Sequence, residues 1–518
     1  METIATSWVY TILNFLAAFF VVLMGLGIVL IAIVYVIDVT QTRHAVRRNY
    51  PVIGRFRYLF EHMGEFFRQY FFAMDREELP FNRAERSWVY RAAKNIDRTL
   101  AFGSTRDLRP EGSIYFVNCA YPTRGEDAVA PSPVTIGPHC DHPYTTASLI
   151  NISGMSFGAL SKPAVRALSQ GAAKSGCWLN TGEGGLSPYH LEGGCDLVFQ
   201  IGTAKFGVCD GNGNLSEERL RKVSVHPEVK MFEIKLSQGA KPGKGGILPG
   251  AKVTEEIATI RAIEIGRDAI SPNRHAEIVD AESLLAMIAR VRNITGKPVG
   301  FKCVIGDSLW LEELLQLIVE RGEEVAPDFI TIDGAEGGSG AAPKPLLDYM
   351  GLPICESLPE VVDLLRGYGL RDRIKVIASG KMIVPSGVAW ALCMGADFVV
   401  SARGFMFSLG CIQAMQCNKN TCPTGVTTHD PKLQRGLNPE VKSERVANYV
   451  FNMTYDVGMI AHSCGVLEPR QLKRIHSRVV TQSGRSVTLE SLYPSVPDGS
   501  MVRASMGESG NQKIINME

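Results

Sequence analysis

The chain has 518 residues and a net charge of +1, because 54 Lys and Arg are balanced by 53 Asp and Glu. This length suits about three ordinary domains or one large barrel with extensions. The near-zero charge argues against nucleic-acid binding, which needs a broad basic surface. The 51 Gly and 27 Pro stand among 45% hydrophobic residues, so the composition is that of a globular chain rather than a low-complexity one.

The first predicted element is a membrane anchor over residues 1–40. No charged residue occurs from Thr3 to Ile37, and this apolar run exceeds the roughly 20 residues that span a bilayer core. A secretory signal peptide is the alternative. It would need a basic residue where Met1-Glu2 stands and a small-residue cleavage site where Asp38-Val39-Thr40 stands. We therefore expect a retained single-pass helix.

Residues 41–144 are predicted to be a helical or irregular linking segment. It begins with five arginines directly after the apolar run, Arg43, Arg47, Arg48, Arg55 and Arg57. The positive-inside rule then places the rest of the chain in the cytoplasm. Aromatic and charged residues mix irregularly as far as Trp88, which predicts short helices that pack on the main domain or lie at the membrane surface.

Residues 145–430 alternate short β-branched runs with helical stretches such as Ala281–Ile294 and Trp310–Arg321. Eight runs read as strands: Ser148–Ser153, Trp178–Thr181, Leu197–Ile201, Met231–Lys235, Val299–Val304, Phe329–Asp333, Ile374–Ala378 and Phe398–Ser401. Alternation at this spacing indicates a parallel sheet, and eight units indicate a closed α/β barrel of the (β/α)8 TIM type. Its chemistry is expected where the strands end.

Three glycine-rich turns follow late predicted strands. They are Asp333–Gly340, Ala378–Lys381 and Ser401–Gly404. Glycine lets the backbone approach a ligand and aim several N–H groups at one anion, and the loops after the last barrel strands are the usual phosphate site. The turns therefore predict a phosphorylated cofactor held near Asp333, Gly337, Gly338, Ser379, Gly380 and Arg403.

Cysteines fall into two groups. In a chain that faces the cytoplasm twelve cysteines are not a disulfide framework, and nine isolated ones are expected to be small buried residues. The other three form the array C-x5-C-x4-C-P at Cys411, Cys417 and Cys422. Zinc normally needs four ligands in paired spacings, whereas thiolates followed by proline are typical of iron–sulfur ligation. Three thiolates indicate a cluster that lacks one iron corner or takes a fourth ligand from elsewhere.

Two further segments place charged side chains at strand ends. Lys235 and Lys241 lie in a flexible turn after one strand and can bind a flavin ring or a substrate carboxylate. Glu183 lies in the glycine turn after another strand and can act in proton transfer. The remaining residues, 431–518, are predicted to form a helical extension over Pro439–Gly465, followed by a polar tail that is disordered after Pro497.

Eight motifs, in order over residues 150–430, resemble the synthase domain of glutamate synthases: Gly154–Ser161, Asn180–Gly185, Phe206–Val208, Gln238–Gly243, Leu248–Gly250, Ile270–Pro272, Gly337–Ala341 and Gly410–Gly425. The chain as a whole resembles the membrane-anchored, stand-alone FMN-binding glutamate synthase family proteins. The resemblance implies an FMN-binding barrel with a 3Fe-4S cluster. It also implies an oxidoreductase that reduces 2-iminoglutarate, formed from 2-oxoglutarate and ammonia, to glutamate.

The resemblance assigns roles position by position. Cys411, Cys417 and Cys422 match the cluster ligands, Lys241 and Arg261 match the 2-oxoglutarate-binding residues, and Glu183 matches the active-site glutamate. Seven positions fall on or near flavin-contacting segments: Met155, Ser156, Gln200, Lys235, Gly337, Gly338 and Gly380. Two cationic groups are also what a dicarboxylate needs.

Departures from the family pattern leave alternatives open. Ile247 stands where the family has a substrate-contacting Gln, and Lys205 where it has Arg. Because no nucleophilic N-terminal Cys and no glutaminase domain are evident, ammonia is expected from solution or a separate subunit. Since no G-x-G-x-x-G follows a strand, electrons are expected from ferredoxin or a reductase. The alternatives are a different amine or oxo-acid, such as N-alkylglutamate formation, and a catalytically silent membrane-tethered scaffold.

Overall fold

The computed structural model describes residues 2–502. It contains two compact units, residues 1–84 and residues 85–518. Most of the predicted disordered tail, residues 503–518, lies outside the described residues.

Seventeen α-helices occur in the described residues. In chain order, α1 to α17 are Glu2–Thr40, Ala45–Asn49, Gly54–Phe67, Arg83–Ala93, Lys162–Ser175, Pro188–Leu191, Glu217–Ser224, Glu255–Arg261, Ala281–Thr295, Leu309–Arg321, Lys344–Tyr349, Ile354–Gly367, Pro385–Cys393, Arg403–Leu409, Pro431–Gln434, Pro439–Ser463 and Leu489–Leu492. A π-helical turn, Arg68–Phe72, follows α3.

Fifteen strands accompany them. β1 to β15 are Ile114–Phe116, Val134–Ile136, Tyr144–Thr146, Ile150–Ile152, Leu179–Asn180, Leu197–Ile201, Val229–Lys235, Ile247–Leu248, Ala269–Ile270, Val299–Cys303, Phe329–Asp333, Lys375–Ser379, Phe398–Ser401, Ser477–Val480 and Ser486–Thr488. The short strands β1 to β3 and β14 to β15 were not predicted, because runs of three or four residues carry little periodicity.

Eight parallel strands close into a barrel in the order β4-β5-β6-β7-β10-β11-β12-β13. Each coincides with one of the eight predicted strands, and the bounds of β6, β11 and β13 are the predicted ones. The prediction of a (β/α)8 barrel is therefore confirmed. Between β7 and β10 the chain inserts the antiparallel pair β8-β9 and helix α8, so the segment that carries Lys241 and Arg261 is an excursion from the barrel wall.

An apolar core closes the amino-terminal end of the barrel. The hairpin β2-β3 contributes Ile136 and Tyr144, which pack with Trp178, Phe398 and other barrel residues. The rings of Tyr144 and Trp178 meet edge to face, with their centroids 6.3 Å apart, and those of Trp178 and Phe398 lie 5.0 Å apart. Edge-to-face aromatic pairs of this kind add to the free energy gained by burial. This end is filled, and an open cleft lies at the other end.

The C-terminal segment combines a long helix with a small sheet. Helix α16 packs against α5, α13 and α14 on the outside of the barrel. The approach of α5 is close, because a Cβ added to Gly171 would lie 2.5 Å from the Val446 side chain. Strand β14 pairs antiparallel with both β1 and β15. The predicted helical extension is thus α16, and a three-stranded sheet follows it.

The first unit is built on the long helix α1. Within it Trp8–Thr40, 33 residues whose most apolar 18-residue window has a mean hydropathy of 3.0, is long and apolar enough to cross a membrane. At its end the buried Asp38 carboxylate accepts a hydrogen bond from Val52 N at 3.0 Å and pairs with Arg55 at 2.8 Å. This ion pair fixes the turn that leads from α1 through α2 to α3.

A buried ion cluster stabilises the barrel near the start of β11. Asp328 is fully buried, and its carboxylate pairs with Arg292 and Arg373, both at 3.0 Å. It also accepts a hydrogen bond from Val299 N at 2.8 Å, which joins it to the start of β10. Removal of one member of such a cluster leaves uncompensated buried charge.

We therefore expect Asp328→Asn to destabilise the protein by about 3–5 kcal/mol, since two guanidinium groups lose their common anion. Asp372→Asn removes an exposed carboxylate nearby and should change stability by less than about 0.5 kcal/mol. Chemical denaturation followed by circular dichroism measures both. Equal, small effects would contradict a stabilising role for the cluster.

Candidate active site

A polar cleft opens at the carboxyl ends of the barrel strands. Its lining includes eight of the predicted site residues, Gln200, Lys235, Asp333, Gly337, Gly338, Ser379, Gly380 and Arg403. The three glycine-rich turns therefore converge on one cleft.

Asp333, the last residue of β11, ties together the loops around this cleft. Its carboxylate accepts hydrogen bonds from Gly239 N at 3.0 Å and from Ser379 Oγ at 2.7 Å. Lys302 of β10 approaches the same carboxylate, with its Nζ 3.4 Å from Oδ2. Burial raises the pKa of Asp333, but Lys302 and these hydrogen bonds hold it below its usual value, so the carboxylate is ionised.

A second buried carboxylate, Glu233 of β7, organises the barrel interior below the cleft. Its Oε1 accepts hydrogen bonds from Asn180 Nδ2 at 2.8 Å and from Gln200 Nε2 at 2.6 Å. Thr331 Oγ1 donates to the other oxygen at 2.7 Å. These bonds fix the amide of Gln200 at the edge of the cleft, where Lys302 also lies.

Lys235 and Glu183 form an ion pair beside the cleft. Lys235 Nζ lies 3.0 Å from Glu183 Oε1 and donates a second hydrogen bond to Gln238 Oε1 at 2.7 Å. Gln238 in turn donates to Gly338 O at 3.0 Å, which connects the loop after β7 to the glycine turn after β11. The predicted catalytic carboxylate and the predicted flavin-contacting lysine are thus direct partners.

The electrostatic state of Glu183 depends on its neighbours. Burial raises the pKa of Glu183, but Lys235, Lys241 and Arg261 together hold it below its usual value. Burial and the neighbouring Lys235 lower the pKa of Lys241 to about 8. One ionised carboxylate therefore faces a group of three cationic side chains, which leaves an excess of positive charge.

The two predicted substrate cations have different surroundings. Lys241 is buried, and its Nζ donates to Ala341 O at 3.1 Å. Arg261 at the end of α8 donates to Ser156 Oγ and Phe157 O, both at 3.1 Å, while its Nε is buried with no hydrogen-bond partner. Burial lowers the pKa of Arg261 to about 10. A buried guanidinium with an unsatisfied N–H can bind an anion.

Close backbone approach explains several of the glycines. A Cβ on Gly239 would lie 1.8 Å from Gly334 O, so only glycine lets the loop after β7 reach Asp333. A Cβ on Gly338 would lie 2.9 Å from Arg403 Nε. Arg403 donates to Glu336 O at 2.8 Å, and burial lowers its pKa to about 10.

Met155 and Ser156 lie in the loop after β4. Met155 is buried, and Ser156 accepts the hydrogen bond from Arg261 described above. Gly182 lies against this loop, since a Cβ there would be 2.5 Å from Ser156 N. The loop is therefore packed between the Glu183 turn and α8.

The three clustered cysteines lie on the loop after α14. Their thiols are close enough for Cys417 and Cys422 to influence the pKa of Cys411, which burial raises to about 12. Tyr90 of α4 donates to Cys411 O at 2.6 Å. Within residues 2–502, no three His, Cys, Asp or Glu side chains are arranged closely enough to hold a metal ion as they stand.

None of the twelve cysteines forms a disulfide in this structure. Of the nine isolated ones, five are buried and three are half-buried, as small core residues are. Cys355 is exposed, contrary to that expectation.

Three charged residues in or near the site were not predicted from the sequence. Lys302 and Glu233 lie in the middle of strands, where a single charge looks like a solvent-facing position. Lys252 lies in a short 3-10 turn and is buried beside the cysteine loop. A charged residue inside an otherwise apolar strand could have indicated Lys302 and Glu233. Barrel strands are buried on both faces, so such a charge needs a polar or charged partner in the interior.

The fold and cleft define the class of a (β/α)8 barrel with a charged, polar site at the carboxyl ends of its strands. Residues 126–467 match the family model described as the conserved region in glutamate synthase. The glutamate synthase large subunit-like protein YerD of Bacillus subtilis is 41% identical, over 93% of this chain and 98% of that protein.

Two further relatives match only in part. The archaeal glutamate synthase [NADPH] of Methanocaldococcus jannaschii is 35% identical over 64% of this chain and 61% of its own length. The archaeal-type enzyme of Thermotoga sp. strain RQ2 is 34% identical over 61% and 59%. The chain thus spans about three fifths of these synthases. Among solved structures, the recombinant flavin-binding domain of baker's yeast flavocytochrome b2 aligns over 81% of this chain and 83% of that chain, at 14% identity and a TM-score of 0.43.

The chain belongs to the glutamate synthase family of oxidoreductases, because the family model covers well over half of it and YerD matches it along nearly its whole length. The family predicted from the sequence motifs is confirmed.

Proposed function

We propose that the protein binds FMN in the cleft at the carboxyl ends of its strands and reduces an imine of a 2-oxo acid to an amino acid. The single observation that carries the proposal is the joining of Asp333, Lys302, Lys235, Glu183 and the glycine turns around one cleft. A bound flavin supplies a two-electron reductant to the substrate.

The residues present fit a flavin mononucleotide. Gly337, Gly338 and Gly380 line the cleft without side chains, and a Cβ on Gly338 would meet Arg403, so backbone and guanidinium can both face a phosphate. Gln200, Lys235 and Lys302 also line the cleft and carry N–H groups that can donate to the polar edge of the ring. Met155 and Ser156 are assigned to the ring contact from the loop after β4.

We assign the substrate carboxylates to Lys241 and Arg261. Neither lines the cleft itself, but both are buried cations that act electrostatically on Glu183, and Arg261 Nε lacks a partner. A dicarboxylate such as 2-oxoglutarate would pair with both and relieve the cost of burying them. This assignment explains why a chain with a net charge of +1 can bind a dianion through local cations alone.

Glu183 is assigned to the nitrogen of the substrate. Ammonia and the oxo-acid carbonyl form a C=N bond with loss of water, and two electrons and two protons then convert C=N to CH–NH. The iminium nitrogen carries positive charge, so the ionised Glu183 carboxylate can accept its hydrogen bond. Lys235, 3.0 Å away, keeps that carboxylate ionised and oriented.

A different amine or oxo-acid is the second candidate, and Ile247 favours it. Ile247 is half-buried in β8, where it pairs with Ile270 of β9, and it offers no polar contact to a substrate. The apolar side chain of Ile247 would pack against the alkyl group of an alkylated amine better than a Gln side chain would. N-Alkylglutamate formation therefore belongs to the same test.

We also propose that Cys411, Cys417 and Cys422 bind a 3Fe-4S cluster that passes electrons to the flavin. Three cysteines on one loop, the last followed by proline, are the donor set that such a cluster takes, and their side chains would have to close around the iron atoms when it binds. The electrons would come from a ferredoxin-like or reductase partner. Ammonia would come from solution or from a separate subunit.

The proposed location is a single-pass membrane protein with its barrel in the cytoplasm. The apolar length of α1 and the arginines that follow it support this orientation. Phe56, Leu59 and Phe60 of α3 are all exposed at one-turn spacing, which suits a helix that lies at the membrane surface.

The direct test is product analysis with anaerobically purified protein, a chemical reductant, 2-oxoglutarate and either ammonia or a panel of alkylamines. Glutamate from ammonia supports the first reaction, and preferential formation of an N-alkylglutamate supports the second. A panel of other oxo-acids covers the remaining substrates. No product from any pair would support a catalytically silent scaffold and refute the proposal.

Substrate affinity should depend on pH through Lys241. Its pKa of about 8 means that the cationic fraction, and with it dicarboxylate affinity, falls as the pH rises through about 8. Lys241→Met should weaken 2-oxoglutarate binding about tenfold to hundredfold at pH 7, since a charged hydrogen bond is lost. Lys244→Met removes an exposed lysine of the same turn and is the control. Isothermal titration calorimetry measures the affinity of the wild type and of both variants for 2-oxoglutarate. Equal affinities would contradict the assignment of Lys241 to the substrate carboxylate.

Iron content should depend on the cysteine loop. Cys417→Ser is expected to abolish or sharply reduce the iron bound per chain and to remove the oxidised-cluster EPR signal, because one of three thiolate ligands is lost. Cys355→Ser changes an exposed cysteine and should leave both unchanged. A Cys417→Ser protein with full iron content would disprove the ligand assignment.

Membrane orientation can be measured in sealed inverted vesicles from cells that express the full chain. Protease added outside should digest the barrel, because the cytoplasmic face is outward there. Right-side-out spheroplasts should protect it until they are lysed. The opposite pattern, or full release of the chain by carbonate, would contradict the proposed topology.

A further inference from the structure

Lys252 connects the cysteine loop to the loop after β4. It ends the 3-10 turn Gly250–Lys252, and its side chain is buried, with 2% of the residue exposed. Its Nζ donates one hydrogen bond to Ala159 O at 2.8 Å and another to Cys417 O at 3.3 Å. A single ammonium thus touches both loops.

The loop after β4 carries Met155 and Ser156, which are assigned to the flavin. A further hydrogen bond joins this loop to the segment after the cysteines, because Ser161 N donates to Val426 O at 2.9 Å. His429 adds a contact between its Nε2 and Gly158 O at 2.8 Å. The flavin loop and the cysteine loop therefore form one hydrogen-bonded layer, and Lys252 lies inside it.

The charge of Lys252 has no acidic partner. Among the residues that the structure describes, no Asp or Glu forms an ion pair with it, whereas the buried Lys205 and Lys302 each pair with a carboxylate. The buried Lys241 and Lys297 likewise rely on carbonyl oxygens, so Lys252 is distinguished by its contact with the cysteine loop. Two carbonyl dipoles compensate only part of the cost of burying an ammonium. The thiols of Cys417 and Cys422 can become anionic, and they favour the charged form of Lys252.

We propose that Lys252 is a positioning residue that holds the cysteine loop against the flavin loop and supplies the buried positive charge that raises the reduction potential of the proposed cluster. This inference rests on the proposed function, because it requires a cluster at Cys411, Cys417 and Cys422. Reduction adds one negative charge to a cluster with three thiolates. A fixed cation in a low-dielectric surrounding stabilises the reduced form more than the oxidised one.

The chain offers matched variants. Lys252→Met keeps most of the side-chain volume and removes the charge, whereas Lys252→Arg keeps the charge. Lys419→Met removes one positive charge from an exposed position on the same cysteine loop. If electrostatics at the buried site matter, the two methionine variants must differ although the change in net charge is equal.

The measurement is a redox titration of the full-length protein, monitored by the EPR signal of the oxidised cluster, with flavin and iron content determined for every sample. Lys252→Met should lower the equilibrium constant for one-electron reduction about tenfold, a shift of about 59 mV to lower potential. Lys252→Arg and Lys419→Met should change it by less than about threefold. The flavin midpoint should move less than that of the cluster.

The outcomes separate this inference from the function on which it rests. A wild-type protein that has flavin but no iron signal would refute the proposed cluster, and this inference with it. If the clusters of the wild type, Lys252→Met and Lys419→Met have equal potentials, the role of Lys252 is refuted, but the proposed cluster is not. Loss of the cluster from Lys252→Met but not from Lys252→Arg would support it, whereas loss from both would contradict a requirement for charge.

Discussion

The buried carboxylate of Asp333 is the contact on which the site depends. It receives Gly239 N from the loop after β7, Ser379 Oγ from the end of β12, and the ammonium of Lys302 from β10. Four neighbouring strands thereby converge on one anion at the carboxyl end of the barrel. Because the carboxylate is buried and ionised, loss of any donor leaves charge unsatisfied, so the strand ends and their loops are held in one arrangement.

The other charged side chains of the site surround Asp333 in two groups, one on the barrel strands and the turns after them, and one on the excursion between β7 and β10. Glu233 fixes Gln200 below the cleft, and Lys235 pairs with Glu183 beside it. Lys241 and Arg261 lie on the excursion between β7 and β10, outside the barrel wall itself. In the proposed function the barrel wall would hold the cofactor, and the excursion would supply the cations for an anionic substrate.

The sequence was sufficient to predict the barrel, because eight β-branched runs with intervening helices leave few alternative folds. It was also sufficient to bring the glycine turns to one end, since strand ends of a parallel barrel share a face. It did not reveal Lys302, Glu233 or Lys252, whose partners are brought together only when the barrel closes. The pairing of β1 with β14 was equally hidden, because it joins segments as far apart in sequence as Ile114 and Val479.

Family membership follows from the match to the glutamate synthase region and to YerD, whereas the residue roles are proposals argued from the contacts. The central claim is that the cleft around Asp333 holds FMN and that an anionic substrate binds beside it. Denaturation of the purified full chain should release one FMN per chain, and addition of 2-oxoglutarate to the native protein should perturb the visible flavin spectrum. A colourless protein, or a flavin spectrum that no oxo-acid alters, would contradict this account.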